Sequence, residues 1–153
     1  MDLVVFEIDG RRYALPAADV REVVRAVTVS PLPGAPPIVE GLINVRGVLV
    51  PVLDLRARFR LPAKHPSHTD HLLLASAGTR LVAIRADRAL DLVHVDPADV
   101  ENPTAIVPDA HRVRGVAKLA DGLVLIHDLR TFLKDTEAVA LDDALAAAAP
   151  AEP

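Results

Sequence analysis

A repeat within the chain constrains its fold more than any other feature. Residues 6–15, FEIDGRRYAL, line up with residues 74–83, LASAGTRLVA, glycine on glycine and arginine on arginine. Further along, Asp54-Leu55-Arg56 lines up with Asp128-Leu129-Arg130, and Gly41 with Gly115, both at one common offset. Each half, about 3–60 and 70–134, therefore reads as hairpin, helical turn, proline-rich loop, hairpin and capped helix. Halves of this size are marginal alone, so the two are expected to share a core and an interface. Short strands, glycine turns and few helices point to two small barrels or curled sheets.

The hairpins are carried by turn chemistry. Asp9-Gly10 separates apolar runs at residues 3–8 and 12–15, a strong short-range hairpin signal. Ala77-Gly78-Thr79 and Asp121-Gly122 divide the second-half hairpins in the same way. After residues 16–19 open a helical turn, Val20, Val23 and Val24 recur at helical spacing, and residues 27–29 read as a strand. Residues 30–37 hold four prolines and form an extended loop. Asp54, Asp96 and Asp128 are placed to cap the turns or short helices that follow, over 55–59 and 129–133 in the first and last cases. Residues 61–70 are a polar linker, and residues 101–110 a second proline-punctuated loop. One amphipathic helix fits residues 135–149, with a frayed tail at 150–153.

The stretch 39–59 concentrates the chain's features. Within its apolar span from Leu42 to Leu53, Arg46 is the one charged residue, lifted beside a turn of Asn44, Val45 and Gly47. The corresponding turn of the second half, near Lys118, Leu119 and Ala120, has no such motif. Arg46 is either a surface handle or the partner of Glu22 or Glu40 in a salt bridge. At least two of Val20, Val23 and Val24 are expected in the core.

Chemistry that would make the chain an enzyme is missing from its motifs. It has no Cys, hence no thiolate nucleophile and no Cys-based zinc site. Its serines lack a nucleophile-elbow context and its glycines form no phosphate-cradling motif. His65, His68 and His71 lie three apart and raise a metal-binding alternative, but Pro66 and the linker composition deny them a rigid face. No cofactor is expected. Net charge of −4 and 3% aromatic residues argue against nucleic acid. Neither a signal-peptide pattern nor an apolar run of membrane-spanning length is present, so a soluble, cytoplasmic protein without direct membrane insertion is expected.

These motifs resemble those of the CheW family of bacterial chemotaxis adaptors. The sequence GLINVRGVLVPVLDLRARF, residues 41–59, is similar to the family's glycine, Asn-x-Arg-Gly, Pro-Val and Asp-Leu-Arg pattern. YALPAADVREVV resembles its tyrosine, helical turn and Val-x-Glu segment, and LADGLVLIHDLRTFL its closing hairpin and helix. The resemblance spans residues 3–145. It implies a mainly β fold of two five-stranded SH3-like barrels with short helices and a C-terminal helix, and no enzymatic activity. It also implies an adaptor between the cytoplasmic tips of chemoreceptors and the CheW-like regulatory domain of a CheA-type histidine kinase, with other CheW-like domains as further partners. The alternative within the fold is a variant that binds receptors but not the kinase. Family contact positions map onto Val20, Glu22 and Arg46, and with the motif residues Gly41, Asn44 and Gly47 they make the expected partner-binding site. Arg85 and Ala86 depart from the family pattern, standing where aliphatic residues usually precede the aspartate matched by Asp87.

Overall fold

The computed structural model describes residues 1–102, 113–120 and 122–148. Most of the 101–110 loop, Asp121 and the tail from 149 lie outside the described residues. Alternating and continuous apolar runs become strands: β1 (Asp2–Ile8), β2 (Arg11–Pro16), β3 (Val20–Arg25), β4 (Val39–Val45), β5 (Val48–Leu53), β6 (His71–Ala77), β7 (Arg80–Ala86), β8 (Arg88–His94), β9 (Val100–Glu101), β10 (Val113–Leu119) and β11 (Gly122–His127). Helices are few, α1 (Leu55–Arg58) and α2 (Asp135–Ala148), with single 3₁₀ turns at Ala17–Asp19, Pro97–Asp99 and Leu129–Thr131. All three expected aspartate caps form: the carboxylates of Asp54, Asp96 and Asp128 accept the amides of Arg56, Ala98 and Arg130 at 2.9–3.1 Å.

Three expectations are corrected. Val20, Val23 and Val24 lie on a strand, not a helix, because the helical turn ends at Asp19 and a bulge at Arg21 shifts the β3–β6 register. β-branched residues pack well on a pleated surface, and here tertiary pairing with β6 wins over the spacing. Residues 27–29 form no strand; only Ser30 bridges to Leu42, by amide–carbonyl bonds of 2.8 and 2.9 Å. The 129–133 helix is reduced to the single turn Leu129–Thr131.

The strands form two sheets, in the orders β8-β1-β2-β11-β10-β9 and β3-β6-β7-β5-β4. These sheets do not coincide with the sequence halves. Each half lends its first hairpin to the other half's sheet: β1–β2 joins β8–β11, and β6–β7 joins β3–β5. The exchange is sealed by matching parallel ladders, Tyr13 with Leu125 and Val52 with Ala83.

Three apolar cores follow from this layout. One lies inside the six-stranded sheet, around Leu3, Val5, Ala14 and Ile126. A second lies inside the five-stranded sheet, around Ile43, Val50, Leu72 and Leu74. The largest fills the space between them, where Phe6, Leu15, Leu53, Leu73, Ile84 and Phe132 meet the buried Leu141 of α2. Leu73 therefore faces a different core from Leu72 and Leu74. A strand covered on both faces reads as an unbroken apolar run, which accounts for Leu72-Leu73-Leu74-Ala75. Among the described residues, no helix is long and apolar enough to cross a membrane.

Candidate docking surface

β3 and β4 are the two edges of the five-stranded sheet. The sheet curls until these edges approach, and the motif residues act at the seam. Arg46 and Gly47 form the two-residue turn between β4 and β5, with φ of +49° and +85°. Positive φ at both positions marks a type I′ turn, whose twist matches the flanking strands. Asn44 shapes it by accepting the Gly47 amide at 2.8 Å through its side-chain oxygen. Glycine holds the second turn position without strain, whereas Arg46 occupies a conformation that few non-glycine residues adopt.

Held there, the Arg46 guanidinium crosses the seam to Glu22 on β3. Both of its terminal nitrogens donate to the carboxylate, at 2.9 and 3.0 Å. Of the two acidic partners expected for Arg46, Glu22 is the one engaged. Hydrogen bonding to Arg46 holds the Glu22 carboxyl below its usual range and raises the Arg46 guanidinium in return. The arginine side chain is nonetheless 75% exposed, so the fork is presented to solvent.

The remaining expected residues serve this geometry from behind. Gly41 is buried where residue 30 crosses β4; a Cβ there would stand 2.2 Å from the Ser30 carbonyl oxygen. Gly115 plays the same part beneath β9, with Val100 2.6 Å from a would-be Cβ. Val20, the first residue of β3, packs partly against the central core, and Val24 against the core of its own sheet. Val23 is exposed. The structure thus gathers Glu22, Asn44, Arg46 and Gly47 at one seam and sets Gly41 and Val20 into the packing.

Two apolar residues that sequence reasoning did not single out flank the turn. Val48 and Leu49 are 54% and 59% exposed. Leu49 pairs with Asn44 across the hairpin and so shares its outward face. The polar Asn44 and the two-residue turn together carried the signal, because they set the register. An exposed arginine–carboxylate fork beside aliphatic side chains suits recognition of a protein surface.

Arg85 stood out in the sequence only as a departure from the family pattern, and its ion pairs were not foreseen there. Its side chain is only 11% exposed, and it forks onto Glu40 of β4 at 2.7 and 2.8 Å while donating to Asp70 of the linker at 3.1 Å. Burial works against the charged arginine, but the two carboxylates outweigh it and its pKa is raised. Next to it Arg56 holds Asp87 at 2.7 Å, and Lys64 stands 3.7 Å from both Asp70 and Asp87. These charges line a cavity of about 150 Å³ that also contains Asp54 and His65. Burial raises the pKa of the Asp54 carboxyl. The three linker-region histidines do not converge: His71 accepts the Ala89 amide at 3.3 Å, and no metal-holding cluster occurs among the described residues. His127 is buried against the rings of Tyr13, Phe59 and Phe132.

Comparison with known proteins bears on the fold and the family of the chain. A family model for the CheW-like domain matches residues 2–137. The chain is 26% identical over 138 residues to the chemotaxis protein CheW of Rhizobium meliloti, covering 89% of each chain. It is 27% identical over 144 residues to CheW of Bacillus subtilis, covering 92% of each. The crystal structure of the scaffolding protein TtCheW from Thermoanaerobacter tengcongensis superposes with a TM-score of 0.82 at 28% identity, covering 89% of this chain and 94% of that one.

Proposed function

The chain belongs to the CheW family, and from that premise we propose that it is a non-enzymatic scaffold of bacterial chemotaxis signalling in the cytoplasm. It couples the cytoplasmic tips of chemoreceptors to the CheW-like regulatory domain of a CheA-type histidine kinase. The observation that carries this reading is the exposed Glu22–Arg46 fork at the β3–β4 seam, with Val48 and Leu49 beside it. The aliphatic pair supplies area to bury on docking, about 1.5–3 kcal/mol for each side chain fully covered. The fork supplies orientation and partner choice more than raw affinity.

Co-purification with the receptors and kinase of the source organism tests this. Arg46→Glu is expected to weaken capture of the partner while leaving the melting temperature unchanged, since its side chain lies in solvent. A second variant separates docking from closure of the seam. Exchanging the charges, Glu22→Arg with Arg46→Glu, rebuilds a bridge but presents it reversed, so binding is expected to stay weak. Capture that survives both variants would remove this surface from the interaction. Capture of receptors without the kinase by the unaltered chain would identify the receptor-only variant instead.

A further inference from the structure

We propose that a cavity at the junction of the exchanged hairpins is a binding site for a polyphosphate anion. It lies away from the β3–β4 seam and does not depend on the adaptor reading. The cavity, of about 600 Å³, is lined by Arg11 and Tyr13 of β2, by Phe59 and Arg60 after α1, and by His127 and Lys134 from the second half of the sequence. Among the described residues no carboxylate lines it, although the protein carries a net charge of −4.

Three observations converge on an anionic ligand. The first is the distribution of unpaired cations. Most arginines and lysines described hold a carboxylate, including Arg58 at the edge of this cavity, which pairs with Glu137. Among the described residues, Arg11, Arg21, Arg25, Arg60 and Lys134 take part in no ion pair, and three of these five, Arg11, Arg60 and Lys134, line this one cavity. Concave, partly apolar walls strengthen the field of such a group on an incoming anion.

The second is the backbone at Arg60. α1 ends with the Leu61 amide bonded to the Arg56 carbonyl at 2.9 Å, and Arg60 takes φ of +56°. This is the helix-ending position that glycine normally fills, because a side chain there is strained. An arginine is held in that conformation with its charge at the cavity.

The third is the character of the walls. Tyr13 and Phe59 stack at 4.9 Å with planes 5° apart, and His127 lies 5.0 Å from Phe59. The floor is thus rigid, and two guanidinium groups with an ammonium suit the several oxygens of linked phosphates. The size falls within the range of small-molecule sites. A peptide strand has no place to add here, because β2 and β11 are each paired on both sides.

Isothermal titration of the full chain with inorganic pyrophosphate at low ionic strength tests the proposal, with ATP as the arm that separates a nucleotide from the free anion. Saturable one-to-one binding of at least one of the two is expected, weakening as sodium chloride is raised. Arg11→Glu is expected to lower the affinity at least tenfold. Arg60→Gly removes the charge while relieving the backbone strain, so it should melt no lower than the parent and still bind at least several-fold more weakly. Arg25→Glu, at an exposed arginine outside the cavity, should bind as the parent does. Absence of saturable binding at millimolar concentrations of both compounds would overturn the proposal. So would binding that Arg60→Gly leaves intact, or that Arg25→Glu weakens as much as Arg11→Glu does.

Discussion

Replacing Arg85 by Met tests whether the charge cluster beneath the linker holds the fold. The side chain stands between Glu40 and Asp70, the latter only 3% exposed, and it is the one strong hydrogen-bond donor that both carboxylates share. Methionine keeps the aliphatic bulk but strands two anions, one of them fully buried. Removing one partner of a buried ion pair costs about 3–5 kcal/mol. Glu40 retains some contact with water and Lys64 stands 3.7 Å from Asp70, so the lower end applies, about 3 kcal/mol. For a chain of this length that corresponds to a fall in melting temperature of about 6–12 °C. Urea denaturation with a second variant, Glu40→Gln with Arg85→Met, isolates the cause. Removing one stranded charge should recover about 1–2 kcal/mol of the loss, a coupling expected only for groups in contact. A single variant that loses under about 1 kcal/mol would refute the reasoning, since the carboxylates would then be solvated without the arginine.

Two other perturbations follow from the same packing and electrostatics. Gly41→Ala sets a methyl group 2.2 Å from a backbone oxygen, whereas Gly115→Ala meets the movable end of Val100; by chemical denaturation the first should lose at least about 3 kcal/mol and the second about 1–2. Acid should destabilise the protein chiefly below about pH 4. Burial opposes the charged forms of Asp87 and Glu137, but the Asp9 amide and Arg56 for one, and Arg58 and the Lys134 amide for the other, outweigh it and hold both carboxyls below their usual range. A depressed folded pKa gives stability that is present above the unfolded value and lost as pH falls through the folded one; Asp54, raised by burial, works in the opposite direction. Urea midpoints followed from pH 7 to pH 3 check this, and a midpoint that rises on acidification would refute it.

What could be read in the sequence was whatever is decided locally. Asp9-Gly10 and Asn44 to Gly47 specify tight turns through their own backbone preferences, and Asp54 and Asp128 cap the turns they precede, so those features stand in the structure as read. Val20 to Val24 misled because an i, i+3, i+4 pattern also arises on a bulged edge strand next to a 3₁₀ turn. Pairing across the chain was beyond local reading. The repeat showed two equal units but held nothing to say that β1, beside its hairpin partner β2, also pairs with β8 of the other half. For the same reason Glu22 and Glu40 were equal candidates for Arg46, until the curl of the sheet brought one to the turn and left the other to Arg85. Val48 and Leu49 stood in the sequence only as part of an apolar run, and the register is what places Leu49 on the outward face beside Asn44.

The exchange of hairpins has a mechanical consequence. In two barrels joined by a tether, a push on one is absorbed by the tether and leaves the other at rest. Here β2 is laced into the ladder of β11, β7 into that of β5, and a continuous apolar core fills the space between. The linker at residues 61–70 is pinned as well, through Asp70 to Arg85. Among the described residues, each crossing between the sheets is thus tied by a ladder, a shared core or an ion pair. On the proposed reading, a displacement applied at the Glu22 edge is expected to move the two sheets together, as a rigid spacer would, rather than to flex one against the other.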